Sequence, residues 1–455
     1  MRAHAFILDI PQENARRLTI GWLSLALASL VIGGLLTILI VLSRTPFFQD
    51  IIPWVDFFHT ALVVHVDLTV VVWFLAFAGV FWSLITTRCF TCGWLALLFA
   101  ILGTFIISTA PFLGNGHPLM NNYVPVLQMP IFLRGLGIFG VGFTILVLHS
   151  LVNSSLIPKK ENQAEDESAL RFGLFTALLT SLFAIIALIL SYLGIPSDEI
   201  GGQYYYELLF WGSGHVIQFT HTQLMLVAWL WLATISGAVL YLTPRVAIFL
   251  FALGAAPTLL TPVIYWTYEL TSPQHILNFT WLMQYGGGLA ALPLGLIVVY
   301  GIFKADKLPT GKRAERTALI FSIILFGVGG VLGFLISGSN VTVPAHYHGS
   351  IIAVTIAFMG ITYHLMPRLG FREITSQWAQ WQPTIYGTGQ LMHILGLAWS
   401  GGYGVQRKTA GAAQGLDNLQ QQLGMGLMGL GGMIAILGGI IFLVVVFLAM
   451  RPKHD

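Results

Sequence analysis

The chain has 455 residues, of which 56% are hydrophobic and only 9% charged, and its mean hydropathy is +0.82. That balance excludes an ordinary soluble domain and predicts a polytopic membrane protein with lipid as its surroundings. The net charge of +3 reflects basic loops and gives no reason to expect nucleic acid as a partner.

A membrane helix needs about 20 apolar residues, and about twelve such stretches follow one another along the chain. They lie near 20–42, 58–86, 92–113, 130–155, 172–194, 205–241, 246–268, 276–303, 317–338, 343–366, 383–401 and 424–450. The expected fold is all-α, one polytopic membrane domain over residues 1–455. Residues 1–18 read as a cytoplasmic tail before an uncleaved anchor, because no small-residue cleavage site follows the first span. The only cysteines, Cys89 and Cys92, form a C-x-x-C in the turn between spans two and three. With no histidine beside them they do not complete a tetrahedral zinc site, and they read as a reduced pair. The longest polar segments are the 157–170 and 402–423 loops.

With the N-terminus inside, 17 of the 21 Lys and Arg fall on the inner side and 4, Arg44, Arg134, Arg407 and Lys408, on the outer. Positive loops stay in the cytoplasm, so the expected location is a cell's inner membrane with a cytoplasmic N-terminus.

Span ten opens with Val343-Pro344-Ala345-His346-Tyr347-His348-Gly349-Ser350. Residues two apart on a helix are separated by about 200°, so these histidines cannot bind one metal from one face. They suit two large cofactors on opposite sides of one helix, as axial imidazoles to two haem irons. A pair of histidines at the water interface would satisfy the motif alone. Depth adds to it: His65 in span two, His215 in span six, and His346 and His348 all fall within roughly 5–15 Å of the outer end of their spans. A common depth on three helices points to one cofactor layer.

These positions, together with Gly214-His215, His65-Val66-Asp67 leading to Trp73 and Gly79, and Leu395-Gly396-Leu397-Ala398 followed by Arg407-Lys408, resemble the catalytic subunit of the haem-copper oxidase superfamily. The resemblance covers nearly the whole chain. That group includes oxygen-reducing cytochrome oxidases and nitric oxide reductases. The resemblance implies a subunit I-like bundle in which His65 and His348 are the axial ligands of a low-spin haem. It makes His346 the proximal ligand of a high-spin haem, and it sets Arg407 and Lys408 against haem propionates. The haems are expected to be of b type. Arg134 and the Asn115-Gly116-His117 loop are further candidates for seating a propionate or a partner.

The departures are as informative. The family holds a second metal with three histidines, one in span six and an adjacent pair near the outer end of span seven. His215 matches the first, but Tyr268-Glu269 stands where the pair is expected, and the chain has no His-His. Glu269 and His275 are the nearest replacement ligands for non-haem iron or copper. His221, about 240° round the helix from His215, cannot share a compact site with it. Phe219 occupies the place where many oxygen reductases carry a tyrosine, with Tyr265 or Tyr268 as substitutes from span seven. No lysine lies within a span and no acidic–asparagine series enters from the inner side, so proton pumping is not expected. Asp67 reads either as a water-facing interfacial aspartate or as functional. Glu207, about two turns above His215, is a candidate for lining an outer access path.

Three functions fit. The preferred one is a nitric oxide reductase-like enzyme, non-pumping, with Glu269, Tyr268 and Glu207 as catalytic candidates and Glu269 as a hard ligand suited to iron. The alternatives are an oxygen-reducing terminal oxidase subunit I and a di-haem electron-transfer subunit lacking the second metal. The chain has neither a donor domain nor a C-x-x-C-H motif. Electrons are therefore expected from quinol, from cytochrome c, or from a second subunit carrying haem c or copper.

Overall fold

Inside a bilayer no water can satisfy backbone amides, so each crossing must close its own hydrogen bonds, and this chain does so with helices. The computed structural model describes residues 3–9, 13–46, 55–114, 116–155, 164–196 and 200–451. Asn115, and Arg2, Lys159, Lys160 and Lys453 of the basic set, lie outside the described residues. In chain order the long helices are α1 (Glu13–Arg44), α2 (Phe58–Ile85), α3 (Phe90–Phe112), α4 (Pro130–Asn153), α5 (Glu165–Gly194), α6 (Gly202–Ile235), α7 (Pro244–Thr267), α8 (Pro273–Phe303), α9 (Arg313–Phe334), α10 (Thr342–Arg368), α11 (Gln377–Gly402) and α12 (Leu419–Met450). All but α11, 11 helices among the described residues, are long and apolar enough to cross a membrane. The span expected at 383–401 is helix α11, whose Gln382, Gln390, His393 and Ser400 dilute its apolar character. Between α3 and α4 an antiparallel hairpin pairs β1 (His117–Leu119) with β2 (Val126–Gln128).

The helix starts follow from local chemistry. Thr243, Ser272 and Ser376 cap α7, α8 and α11 with their hydroxyls, and Pro244 and Pro273 occupy first-turn positions where no amide hydrogen is needed. Asn418 and Gln421 form a reciprocal capping box at α12. Helix α3 differs, because its N-cap is Cys89, whose side chain caps nothing.

The described residues gather into two compact units. The first comprises Met1–Leu30, Val66–Thr234 and Ala238–Ala305. In it the N-terminal segment is strapped down by a His4–Leu240 bridge and by Asp166, which accepts from both the His4 ring and the Ala5 amide. The second comprises Val31–His65, Ile235–Gly237 and Asp306–Asp455. Here α9 and α10 touch backbone to backbone: a Cβ added at Gly349 would lie 2.5 Å from the Gly329 Cα, so neither position admits a side chain at this spacing.

Burial separates the helices into two groups. In α2, α6 and α10 between 83% and 89% of the most apolar window is enclosed, against 33–50% in the other eight spans. The enclosed three are the helices that carry His65, His215, His346 and His348. Polar rings facing lipid would be costly, and in each unit these rings lie on an enclosed helix.

Candidate functional site

In the second unit, His346 and His348 occupy the first turns of α10. The His346 Nδ1 lies 2.7 Å from the Gly329 carbonyl of α9. A carbonyl only accepts, so Nδ1 carries the proton and Nε2 presents its lone pair. The contact depends on the close α9–α10 approach. We expect Gly329→Val to push the helices apart, at about 1–3 kcal/mol of overpacking, and to lower high-spin haem content in purified protein. Unchanged content would show that the carbonyl does not orient His346.

His65 repeats the arrangement. Its Nδ1 lies 3.0 Å from the Gly33 carbonyl and 3.1 Å from the Thr37 hydroxyl, which itself donates to Gly33 at 3.0 Å. Once again Nδ1 is the donor, because the carbonyl only accepts. His348 looks elsewhere than His346. Its ring centroid is 5.0 Å from that of His393 on α11, and His65, His393 and Arg44 act on it electrostatically. His393 donates from Nδ1 to the Met428 carbonyl at 3.0 Å. The half-turn between His346 and His348 thus sends one ring to α9 and the other toward His65 and His393.

Above these histidines Tyr347 lies within electrostatic reach of Arg44 and Arg407. Arg44 donates from Nε to Gln414 at 3.4 Å and Arg407 from Nε to Ser339 at 3.1 Å. Lys408 adopts a left-handed backbone, φ 61°, and its carbonyl accepts from His59 Nε2 at 3.1 Å. The guanidiniums of Arg44 and Arg407 at this end suit a ligand bearing carboxylates. Arg44 and His393 escaped the sequence reading. The signal for His393 was present, since an ionisable ring inside an apolar span marks function by default.

In the first unit His215 is bonded at both ring nitrogens. Nδ1 donates to the Trp211 carbonyl at 2.7 Å, and Nε2 accepts from the Tyr123 hydroxyl at 2.8 Å. Tyr123 arrives on the turn between β1 and β2. The turn is held by Glu207, which accepts from the Asn122 amide at 2.9 Å and from the Asn122 side chain. Gly214 leaves the space that the tyrosine ring fills. Burial pushes the Tyr123 phenol well above its ordinary range and the charge of Glu207 adds to this, against an opposing hydrogen bond from Gln218. It is therefore a neutral donor. Glu207, expected beside an access path, is thus the latch of this loop. Glu207→Gln exchanges an acceptor oxygen for a donor, so we expect faster amide hydrogen exchange at residues 119–126. Unaltered exchange there would mean that the latch contributes nothing.

The expected second-metal set does not come together. Glu269 is exposed just beyond the end of α7 at Thr267, and its carbonyl accepts from the Ser272 amide and hydroxyl. Tyr268, beside it, is 36% exposed. His275 is fully buried in the first turn of α8, between the rings of Tyr265 at 4.8 Å and Phe279 at 5.1 Å. The helix break after Thr267 turns the carboxylate outward while the α8 N-terminus turns the imidazole inward. Among the described residues no three His, Cys, Asp or Glu side chains are grouped to hold a metal. The tyrosine bonded to His215 is Tyr123 and not Tyr265, whose hydroxyl meets Ser191 at 2.7 Å. Nothing in span spacing pointed to a tyrosine from the hairpin.

Asp67 opens a π-helical segment, Asp67–Val72, directly after the turn bearing His65. Its carboxyl group is fully buried, with no hydrogen-bond partner among the described residues. That corrects the water-facing alternative. One extra residue per turn, a feature frequent at functional sites, rotates the remainder of α2 relative to His65.

The family described as cytochrome c and quinol oxidase polypeptide I matches residues 17–441. The chain belongs to this family. It is also similar to an uncharacterized protein of Rickettsia prowazekii, 28% identical over 92% of this chain and 93% of the relative. An uncharacterized protein of Aquifex aeolicus is 29% identical over 80% of this chain and 88% of its own length. Family membership makes the protein a multi-pass membrane oxidoreductase of the haem-copper type, which binds haems and works with other subunits or electron donors such as cytochrome c or quinol.

Proposed function

We propose that this family member carries two b-type haems and reduces a diatomic gas, nitric oxide in preference to oxygen, without pumping protons. The observation that supports the reading is the pair of histidines, His65 and His346, each of which donates from Nδ1 to a glycine carbonyl and so has its basic lone pair on Nε2. His348, acted on by His65, completes a bis-imidazole pair. Haem iron with two imidazoles passes electrons, and haem iron with one retains a position for a diatomic. His65 and His348 hold the first haem, His346 holds the second, and Arg407 and Lys408, joined by Arg44, neutralise propionates. Electrons come from quinol, cytochrome c or a partner subunit carrying haem c or copper.

His215, Glu269 and His275 do not fit a second metal as they stand. Nitric oxide is favoured by Phe219, which leaves α6 without the family's tyrosine, and by the lack of any lysine within a span. The second reading, oxygen reduction, is favoured by one observation: Tyr123 brings a phenol to His215 from the hairpin. Gas electrodes on the purified protein, supplied with reduced cytochrome c or a quinol, separate the two. Nitric oxide consumption well above oxygen uptake is the expected outcome, and the reverse overturns the preference.

A further inference from the structure

Cys89 and Cys92 lie in the first unit, apart from the haem-ligand candidates. Cys89 is the N-cap of α3 and Cys92 is three residues on, the two positions whose side chains meet across the first turn of a helix. Their sulfurs are 2.6 Å apart, inside ordinary van der Waals contact. The Cys92 amide donates to the Cys89 carbonyl at 3.0 Å, which closes that turn. Three features separate this arrangement from a chance pair. Cys89 has φ 51° and ψ 48°, a left-handed backbone that a side chain disfavours and that an N-cap rarely adopts. The Cys89 side chain makes no capping hydrogen bond, so capping does not account for a cysteine there. The turn is also pinned: the Thr87 amide donates to Asn153 at 3.0 Å, the Ser155 amide to Ile85 at 3.1 Å, and His149 to the Arg88 carbonyl at 3.3 Å. Cys89 is exposed and Cys92 partly so. A small reagent can reach sulfurs that the fold holds together.

We propose that Cys89 and Cys92 form a redox-active dithiol that exchanges with low-molecular-weight disulfides. One cysteine thiolate displaces a thiolate from the incoming disulfide and forms a mixed disulfide. The other cysteine then attacks that bond and releases the second thiolate. Two cysteine thiols and one small disulfide become one protein disulfide and two small thiols, so atoms and electrons balance. Exposed Cys89 receives the reagent, and Cys92 resolves the mixed disulfide because the pinned turn keeps it in contact. The basic loops assign this turn to the cytoplasmic side, where the dithiol would be the resting form.

The test uses the full-length protein in nanodiscs, equilibrated in glutathione buffers graded from reduced to oxidised, then acid-quenched, alkylated and weighed by mass spectrometry. Wild type should pass in one two-electron step from a doubly alkylated form to a form with no alkyl group and no glutathione. Cys89→Ser and Cys92→Ser should each accumulate one glutathione adduct instead, with an unchanged haem spectrum showing that they are folded. Persistent double alkylation of wild type under oxidising buffer, or accumulation of glutathione adducts on it, overturns the proposal.

Discussion

Replacing His65 with alanine is expected to abolish the low-spin haem spectrum and to leave a protein in which every haem is high-spin and binds carbon monoxide. The tautomer of His65 is set by Nδ1, which donates to Gly33 at 3.0 Å beside the Thr37 hydroxyl. If His65 and His348 hold the first haem as proposed, removing the His65 ring would leave His348 alone to hold it, and haem iron with one imidazole binds exogenous gas. The expected effect is a loss of essentially all low-spin absorbance. Thr37→Val is the milder companion. It removes only the hydroxyl, worth about 1 kcal/mol, and should perturb the low-spin bands without abolishing them. A low-spin spectrum that survives His65→Ala would remove His65 from the haem.

The second large effect concerns ligand order within His346-x-His348. Replacing His346 should remove carbon monoxide binding while the low-spin bands survive, and replacing His348 should do the reverse. The rotation of about 200° between the two positions requires each ring to serve a different cofactor but does not say which. The surroundings supply a direction. His346 is tied to α9, whereas His348 shares its electrostatic surroundings with His65 and His393. Optical spectra of the two variants, with and without carbon monoxide, read the result. Exchanged phenotypes would reverse the assignment.

The sequence was legible where a single physical rule governed it. Apolar stretches sufficient to cross a bilayer located the helices, because polar groups are costly in hydrocarbon, and the ionisable rings inside them supplied the candidate ligands. Helix α11 was found despite its polar residues because its flanking loops delimit it. The hairpin was not legible. His117–Leu119 and Val126–Gln128 are too short to announce strands, and Tyr123 reaches His215 only because Glu207, 85 residues away, clamps Asn122. Glu269 illustrates the opposite failure. Its position in the chain suggested a ligand, but the helix ends at Thr267 and the carboxylate faces outward. For Asp67 the sequence left a water-facing and a functional reading open, and burial of its carboxyl group removes the first.

The most direct measurement of the central claim is the number of haems per polypeptide in the purified, fully loaded protein, taken with its spin-state spectrum before and after carbon monoxide. Two haems are expected per chain, one low-spin and indifferent to the gas, the other high-spin and shifted by it. A single haem per chain, or two that respond to carbon monoxide alike, would contradict the account.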